Sequence, residues 1–513
     1  MKPYLFDRHR EDDTGVGRRR WLLSGVLGGA ACVVAGLAFI LFSPLPATPV
    51  AQAVTVGRGI IDYRLEQAQV DLSTVPAMVA EMGPGRLGSG WTRVMVHWAT
   101  MQPDAPGTAS NADTDGDGYS DAYVAQLTAI VDQLHAAGMK VILTPVDTPE
   151  WAEDQSAWAH PPAGYDKDKY YPLYAPNMNG ETVAKTQFGD LGKFLAGKFA
   201  GEADYFECWN EPNQGLYLYP QTPASATNGG AAIYLEMLKT WYAGVKAGNP
   251  DAVVIGGATA PRGRGDAVST PPQAFARYLK DNGAAAYMDA YSHHPYTPGG
   301  STRVKPGQPP NNPARCVTLG NLKQLTSLFP GMPFYLTEFG YNTQYSRWFG
   351  VTVSEADQAR YMRQAYAYVR RYPQVKALLW FLVDDWNPTD SPTDKAGQGV
   401  YMGVRTYTGV RKPAWYAFAG DNRVTLAAPA SAKAGASFTV SGTLTYRSPA
   451  APESQVVTLQ WRSPSGTAWH SLADIHTAAD GTYSGTAKQR KTRVYRVIWG
   501  GVCESAASTV KTP

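Results

Sequence analysis

Short apolar runs alternate with amphipathic stretches along residues 56–420. Runs rich in Val, Ile, Tyr or Trp predict buried strands at residues 92–98, 140–145, 205–209, 252–256, 289–293, 333–337 and 376–382, and a weaker run predicts a first strand near 58–63. Residues 122–137 and 355–371 carry apolar residues at helical spacing. This alternation predicts an α/β fold, a (β/α)8 TIM barrel with insertions, with a doubly wound sheet as the alternative.

The pattern changes in residues 421–513. Short apolar runs at 437–446, 455–462, 481–487 and 494–500 alternate with turns rich in Gly, Ser and Pro. This pattern predicts a C-terminal all-β sandwich that resembles the small Ig-like modules of exported bacterial enzymes. Such a module is either a spacer that stabilises the barrel or an accessory module that binds sugar, and the pattern does not separate the two.

The N-terminal residues indicate export. Arg18, Arg19 and Arg20 precede an apolar stretch at residues 21–43, and the linker at 44–55 contains Ala51-Gln52-Ala53. The stretch is about the 20 residues that span a bilayer. It is therefore either an uncleaved membrane anchor or a signal peptide cleaved near Ala53. In both cases residues 1–20 form a cytoplasmic basic segment and the remaining chain is extracytoplasmic, either anchored or secreted.

The composition limits the classes of partner. Hydrophobic residues make up 44% of the 513 residues and charged residues 17%, which suits a large core and argues against general disorder. The net charge is only +3, so the whole chain offers no electrostatic case for nucleic-acid binding. The membrane is an expected partner only if the N-terminal helix stays uncleaved.

Two glutamates stand where strands are predicted to end. Glu211 lies in Trp-Asn-Glu-Pro-Asn directly after the run at 205–209, and Pro212 cannot continue a strand ladder. Glu338 ends the run at 333–337 and is followed by Phe339 and Gly340. Active sites of barrels form at the carboxyl ends of their strands. Hydrolysis of a glycosidic bond needs two carboxyl groups, one protonated and one ionised, and needs no cofactor.

These motifs resemble the large clan of retaining glycosidases with (β/α)8 barrels. Trp-Asn-Glu-Pro-Asn on a fourth strand, with a glutamate ending the seventh, looks most like glycoside hydrolase family 39 and its relatives. The resemblance covers residues 56–420. It implies that Glu211 is the acid/base, that Glu338 is the nucleophile, and that Asn210 binds the sugar 2-hydroxyl.

The resemblance extends to residues expected to bind the substrate. Arg93 matches an arginine of the second strand that keeps the nucleophile ionised, and His294 and Tyr296 match a His-x-Tyr of the sixth strand. Trp380 matches an eighth-strand tryptophan that forms the floor of the −1 subsite. The third strand has no histidine of the cellulase type, but its Thr-Pro-x-Trp, at residues 148–151, is similar to family 39.

An acidic loop forms a separate candidate site. Asp113, Asp115, Asp117 and Asp121 stand at positions 1, 3, 5 and 9 of a calcium-type loop, with glycine at position 6. Val124 stands at position 12, where a bidentate glutamate is expected. The loop is therefore either a structural calcium site or a solvated acidic turn before the helix at 122–137.

The resulting hypothesis is a retaining O-glycoside hydrolase that acts on an extracellular or envelope polysaccharide or oligosaccharide. Two alternatives stay open. One is a membrane-anchored carbohydrate-binding protein on a degenerate barrel, which would bind glycans without cleaving them. The other is an envelope transglycosylase that uses the same two acids and passes the sugar to an acceptor. The sugar, the linkage, and endo or exo action depend on loops that the sequence does not resolve.

Overall fold

A computed structural model describes most of the chain beyond the N-terminal segment. The described residues are 56–108, 112–154, 175–221, 229–266, 268–346, 350–386, 399–420, 422–446 and 454–513. The predicted basic segment, apolar stretch and linker at 1–55 lie outside them. Among the described residues, no helix is both long enough and apolar enough to cross a bilayer.

Eight parallel strands form a closed barrel, which confirms the TIM-barrel prediction. The strands are β1 (Gly57–Ile61), β2 (Trp91–His97), β3 (Lys140–Val146), β4 (Tyr205–Glu207), β5 (Val253–Thr259), β6 (Ala290–His293), β7 (Phe334–Phe339) and β8 (Val375–Phe381). Gly59 of β1 pairs with Trp91 of β2 and with Leu379 of β8, so the first strand joins the last. This closure rules out the doubly wound alternative.

Helices follow the strands around the barrel. They are α1 (Val75–Met82), α2 (Trp98–Met101), α3 (Asp121–Ala136), α4 (Val183–Lys198), α5 (Gly229–Gly248), α6 (Pro272–Asp281), α7 (Lys323–Thr326), α8 (Glu355–Val369) and α9 (Pro413–Ala419). The two helices expected from apolar spacing are α3 and α8. Ser354 caps α8 because its hydroxyl accepts the backbone N–H of Asp357 at 3.1 Å. The cap fixes where the helix begins.

The barrel interior changes from apolar to polar along the strands. At one end, Trp91 of β2 packs edge-on against Tyr205 of β4, with ring centroids 4.7 Å apart. Because side chains alternate between the two faces of a strand, Arg93 and Glu207, two residues farther on, point into the same interior. Both are fully buried. The charged side chains therefore lie toward the carboxyl ends of the strands.

The C-terminal region consists of antiparallel sheets, as the change in pattern predicts. Its strands are β9 (Arg423–Val424), β10 (Ser437–Thr445), β11 (Val456–Arg462), β12 (His470–His476), β13 (Thr482–Lys488), β14 (Arg493–Trp499), β15 (Cys503–Glu504) and β16 (Ser508–Val510). One sheet has the order β13-β10-β9 and the other β12-β11-β14-β15, with β16 also paired to β14. The finer assignment to an Ig-like module stays a prediction. The mostly exposed strand β12 was not predicted, because it has too few apolar residues for an alternating pattern.

Candidate active site

Arg93 is at the centre of the polar end of the barrel. Its side chain is 0% exposed, and its Nη2 donates to Oε1 of Glu338 at 2.5 Å. Its Nη1 lies 3.4 Å from Oε2 of Glu207 and 3.3 Å from Oδ1 of Asn210. Burial alone would lower the pKa of Arg93, but the surrounding carboxylates outweigh it and raise that pKa above its usual range. The guanidinium is therefore a permanent positive charge inside the barrel.

Glu338 is the nearest of the carboxylates around this guanidinium. It is the penultimate residue of β7, where the pairing with β8 is irregular between Leu336 and Phe339, and its side chain is 7% exposed. Tyr296 donates its hydroxyl to Oε2 of Glu338 at 2.9 Å. Burial alone would raise the pKa of Glu338, but the charges of His294 and Arg93 and two hydrogen bonds bring it below its usual value. Glu338 is therefore an ionised carboxylate at neutral pH.

Glu211 lies on a loop rather than at the end of its strand. Strand β4 ends at Glu207, earlier than the sequence predicted, because the chain turns through the left-handed region at Trp209 (φ 68°) and Glu211 (φ 41°). The N–H of Glu211 donates to the carbonyl of Ala258 at 2.9 Å, which holds this uncommon conformation. The turn leaves the Glu211 side chain 16% exposed, more than twice the exposure of Glu338.

The pKa of Glu211 shifts in the opposite direction. Burial raises it, and the negative charge of Glu338 adds to the rise. The hydrogen bond and the charge of His294 reduce this rise without cancelling it. Glu211 therefore holds a proton to higher pH than a free glutamate does, and Glu338 loses its proton at lower pH.

His294 joins the two acids. Its Nδ1 lies 3.0 Å from Oε1 of Glu211 and 3.7 Å from Oε2 of Glu338. Its Nε2 lies 3.1 Å from the hydroxyl oxygen of Thr337, and that hydroxyl donates to Glu207 at 2.8 Å. Its Nε2 also lies 3.3 Å from Nη1 of Arg93. Burial alone would lower the pKa of His294, but the charges of Glu338 and Glu211 and the hydrogen bond to Glu211 raise it.

The three groups converge on one small space. One donor atom from each of Glu211, His294 and Glu338 lies within 4.8 Å of the others. Two carboxylates and an imidazole at this spacing can also bind a divalent cation. However, Arg93 and Tyr296 already compensate the charge of Glu338, so the acids do not depend on a metal for neutralisation. The arrangement offers one ionised and one proton-bearing carboxyl group across a gap.

Glu207 supports this arrangement from within the barrel. Its Oε2 accepts from Thr144 of β3 at 3.0 Å and its Oε1 accepts from Thr337 of β7 at 2.8 Å, while Arg93 of β2 lies against the same carboxylate. A buried carboxylate needs a cationic partner, and Arg93 is that partner for Glu207. Glu207 thus ties together four strands below the two candidate catalytic acids.

A family model described as Cellulase (glycosyl hydrolase family 5) matches residues 87–385, more than half of the chain. The chain belongs to glycosyl hydrolase family 5. This confirms the expectation of a glycosidase that hydrolyses O-glycosyl bonds. No curated protein matches the chain. The closer resemblance to family 39 stays a prediction.

Several solved glycosidase structures are similar in fold. The FMN-binding β-glucuronidase from Facaelibacterium prausnitzii L2-6 has 14% identity over 90% of this chain and 57% of that one, with a TM-score of 0.43. A Parabacteroides merdae β-glucuronidase has 11% identity over 89% and 48%, also at 0.43. The hyperthermophilic β-glucosidase from Pyrococcus furiosus has 14% identity over 68% and 83%, at 0.44. The present chain spans about half the length of the glucuronidases.

The eighth strand of this family 5 barrel corrects one prediction. Trp380 is 0% exposed, packs edge-on against Phe339 and donates its indole N–H to the carbonyl of Met402 at 2.9 Å. It has no free face for a sugar. Ala377 and Leu379 face the barrel interior, so alternation turns Trp380 outward and brings Phe381 inward. Phe381, at the end of β8, is partly exposed and packs against the apolar cluster that contains Tyr296, whose hydroxyl donates to Glu338.

The third strand has no histidine, but the second strand places one beside its carboxyl end. His97 ends β2, and its Nδ1 forms a very short contact with the carboxylate of Asp147, just after β3. Asp147 has φ 63°, another left-handed residue beside the site. Burial alone would lower the pKa of His97, but the bond and the charge from Asp147 raise it. This pair comes together because β2 and β3 are neighbours in the barrel. A motif search does not use that adjacency.

Glu66 is a third buried acid that the sequence did not reveal. It ends a short 3-10 helix (Tyr63–Glu66) after β1, and its Oε1 lies 3.6 Å from Nε of Arg93. Neither of these two atoms has a hydrogen-bond partner among the described residues. Burial raises the pKa of Glu66 to about 7, against the opposing charge of Arg93. Glu66 carries no motif, so only the folded loop identifies it.

The acidic loop partly matches its predicted calcium geometry. One carboxylate oxygen from each of Asp113, Asp115 and Asp117 lies within 4.8 Å of the others. Asp121 instead accepts hydrogen bonds from the backbone and the hydroxyl of Thr114. Loop N–H groups donate to the other three carboxylates. Three of the four candidate ligands are therefore together, and the fourth is engaged elsewhere.

Proposed function

We propose that this family 5 protein is a retaining O-glycoside hydrolase that acts by double displacement on an extracellular or envelope polysaccharide or oligosaccharide. One observation carries the proposal: the carboxyl groups of Glu211 and Glu338 meet within 4.8 Å while their pKa values shift in opposite directions. A pair of titratable groups driven apart by their environments is the usual basis for separate acid and nucleophile roles.

In the first step, the ionised Glu338 attacks the anomeric carbon and Glu211 donates its proton to the leaving oxygen. The glycosidic bond breaks and a covalent glycosyl-enzyme forms. In the second step, Glu211, now ionised, removes a proton from water, which attacks the anomeric carbon. Glu338 leaves as a carboxylate and Glu211 regains its proton. Arg93 and Tyr296 hold the two oxygens of Glu338 for attack.

The spacing of the acids favours retention over inversion. Retaining enzymes keep their two carboxyl groups about 5–5.5 Å apart, whereas inverting enzymes need roughly 6.5–9.5 Å to admit a water. One oxygen of Glu211 lies within 4.8 Å of one oxygen of Glu338, which is closer to the retaining spacing than to the inverting one. Asn210, held by Arg93, is the proposed partner of the 2-hydroxyl of the sugar.

The location outside the cytoplasm rests on the sequence at residues 18–53. The proposed calcium site rests on Asp113, Asp115 and Asp117. Burial first, and then the charges of Asp115 and Asp113, raise the pKa of Asp117, and a bound cation would relieve that repulsion. Calcium would stabilise the loop before α3 and take no part in bond cleavage.

Azide rescue tests the two roles, because the stereochemistry of its product differs between them. Aryl glycosides of several sugars first identify a substrate. With Glu338→Ala, turnover should fall by several orders of magnitude, and azide in the vacated space should restore it with the inverted glycosyl azide. With Glu211→Ala, azide should attack the glycosyl-enzyme from the opposite side and give the retained product.

Glu181→Ala is the matched control, since Glu181 is an exposed glutamate on the barrel. It should keep full activity. Residual activity of Glu338→Ala near that of the unaltered protein would refute the nucleophile assignment. Tight glycan binding with no hydrolysis of any substrate would instead favour a carbohydrate-binding protein on a degenerate barrel.

A further inference from the structure

The charge of the chain is unevenly distributed. Residues 423–513 contain ten Lys or Arg against four Asp or Glu, a net charge of +6, although the whole chain carries only +3. The rest of the chain is therefore net negative, at −3. A strongly basic module attached to a weakly acidic barrel indicates that the module has its own anionic partner.

Seven of those ten basic residues lie at one end of the C-terminal sheets. This basic end comprises Lys433, Arg462, Lys488, Arg490, Lys491, Arg493 and Lys511. Backbone pairing brings the segments together: Ser437 opposite Lys488, Arg462 opposite Val494, and Arg493 opposite Val510. The segments 431–437, 462–470, 486–494 and 509–513 that build this end contain no Asp or Glu.

The basic end points away from the barrel. At the other end of β14, Trp499 packs on Tyr416 of α9 with ring centroids 4.8 Å apart, and Arg363 of α8 donates to the carbonyl of Val502. Arg493 begins the same strand, six residues from Trp499, which is roughly 20 Å along an extended chain. A ligand can therefore occupy the basic end without touching the barrel.

Tryptophan rings alternate with the positive charges. The guanidinium carbon of Arg493 lies 3.6 Å from the centroid of the Trp461 ring, and His470 stacks against that ring with centroids 4.8 Å apart. Arg496 lies 4.3 Å from the Trp469 ring. Cation–π contact holds a guanidinium without consuming its N–H donors. Trp461 and Trp469 thus serve to position the arginines, because the rings already pack against side chains of this chain.

The turn between β13 and β14 carries the most accessible charges. Lys488, Arg490 and Lys491 are exposed, and within the part of the chain that the structure describes their side chains form no hydrogen bond or ion pair. Their positive charge is therefore uncompensated by neighbouring residues. A ligand with regularly spaced negative groups would gain the most from them.

We propose that the basic end is a docking site for an acidic polysaccharide, a glycan chain that bears uronate carboxylates. Such a chain offers regularly spaced anionic groups for the arginines and lysines, and the barrel to which the module is attached belongs to a glycosidase family. This proposal rests on the proposed glycosidase function, because it makes the module an anchor on the glycan near which the barrel works. Duplex DNA and anionic membranes share the charge, but neither is a glycan on which a glycosidase barrel could act.

Binding of the full chain to polygalacturonate, measured by affinity electrophoresis and calorimetry, tests the proposal. Fully methyl-esterified polygalacturonate is the matched ligand, since it keeps the sugar and removes the charge. The unaltered protein should bind the charged polymer at least tenfold more tightly, and added salt should weaken binding. The triple change Lys488→Gln, Arg490→Gln and Lys491→Gln should weaken binding tenfold or more while leaving kcat on a small aryl glycoside unchanged.

The control triple removes the same charge from exposed barrel residues, through Lys193→Gln, Arg303→Gln and Lys305→Gln. It should bind within twofold of the unaltered protein. Equal loss in both triples, equal affinity for the esterified polymer, or tighter binding to duplex DNA or to phosphatidylserine vesicles would each overturn the proposal. Repeating the assay with Glu338→Ala separates binding from catalysis, so an inactive enzyme would not hide a functional docking site.

Discussion

Replacing Arg93 tests whether one buried cation controls both the stability and the chemistry of the barrel. Arg93→Met keeps a similar side-chain length and removes the charge that lies 2.5 Å from Glu338, 3.4 Å from Glu207 and 3.6 Å from Glu66. Removing one partner of a buried ion pair costs about 3–5 kcal/mol. Because three carboxylates share this guanidinium, we expect a loss in the upper part of that range at neutral pH.

The loss should depend on pH in a defined direction. In the unaltered protein, the lowered pKa of Glu338 gives stability that is present above the unfolded pKa near 4.5 and lost as the pH falls through the folded value. Arg93→Met removes that contribution and leaves buried carboxylates whose ionisation costs stability as the pH rises. The difference in unfolding free energy between the two proteins should therefore be larger at pH 8 than at pH 5.

Urea denaturation followed by tryptophan fluorescence at both pH values measures this difference. Arg93→Lys is the matched control, because it keeps the charge but not the bidentate geometry, and it should lose less stability than Arg93→Met. The acidic limb of kcat/KM should also move to higher pH in Arg93→Met, as the nucleophile becomes harder to ionise. A loss of stability that is equal at pH 5 and pH 8 would show that packing, and not charge, explains the effect.

Further predictions concern three other groups. Glu66→Gln should move the alkaline limb of kcat/KM to lower pH, because the native carboxyl, with a pKa of about 7, becomes negative above that pH and opposes loss of the proton from Glu211; an unchanged profile would contradict this. Because the pKa of Glu66 is raised from 4.5 to about 7, Glu66 contributes stability that is fully present below pH 4.5 and is lost as the pH rises through 7. Glu66→Gln should remove this pH dependence, and urea titrations at several pH values would detect the change. Lys412→Met should lower the free energy of unfolding by about 3–5 kcal/mol, because Lys412 and Asp385 form a buried ion pair at 2.7 Å. The double variant that also carries Asp385→Leu should recover part of that loss in the same assay. Calcium should raise the melting temperature of the unaltered protein but not of Asp113→Asn, and a chelator should reverse the rise; equal responses would reject the calcium site.

Much of the barrel was predictable because its strands are short apolar runs of regular spacing. Strand β3 begins at Lys140 in both the pattern and the structure, and α8 begins after its cap at Ser354. The error at Trp380 has a traceable cause. Matching a motif ignored the alternation along β8, which already indicated that residues 377, 379 and 381 share one face. Counting two residues at a time would have selected Phe381.

Other features could not be predicted because they depend on contacts between distant segments. Glu66 and Arg93 are brought together by the loop after β1, and no periodicity marks that loop. The pair of His97 and Asp147 depends on the alignment of β2 with β3. The basic end of the C-terminal sheets joins segments from 431 to 513, and the net charge of the whole chain conceals it. The pairing of the strands shows that these positive charges lie together, which the net charge of the whole chain does not show.

The division of labour between the two candidate catalytic acids follows from an unequal supply of donors. Glu338 receives the guanidinium of Arg93 and the hydroxyl of Tyr296, so its ionised form is favoured. At Glu211, burial and the negative charge of Glu338 raise the pKa, and the imidazole of His294 at 3.0 Å reduces that rise without cancelling it, so the protonated carboxyl is favoured. The two glutamates are chemically identical, and exchanging their surroundings would exchange their roles. The hydrogen bond from Arg93 to Glu338 therefore supports the proposed nucleophile independently of the Asn-Glu-Pro motif.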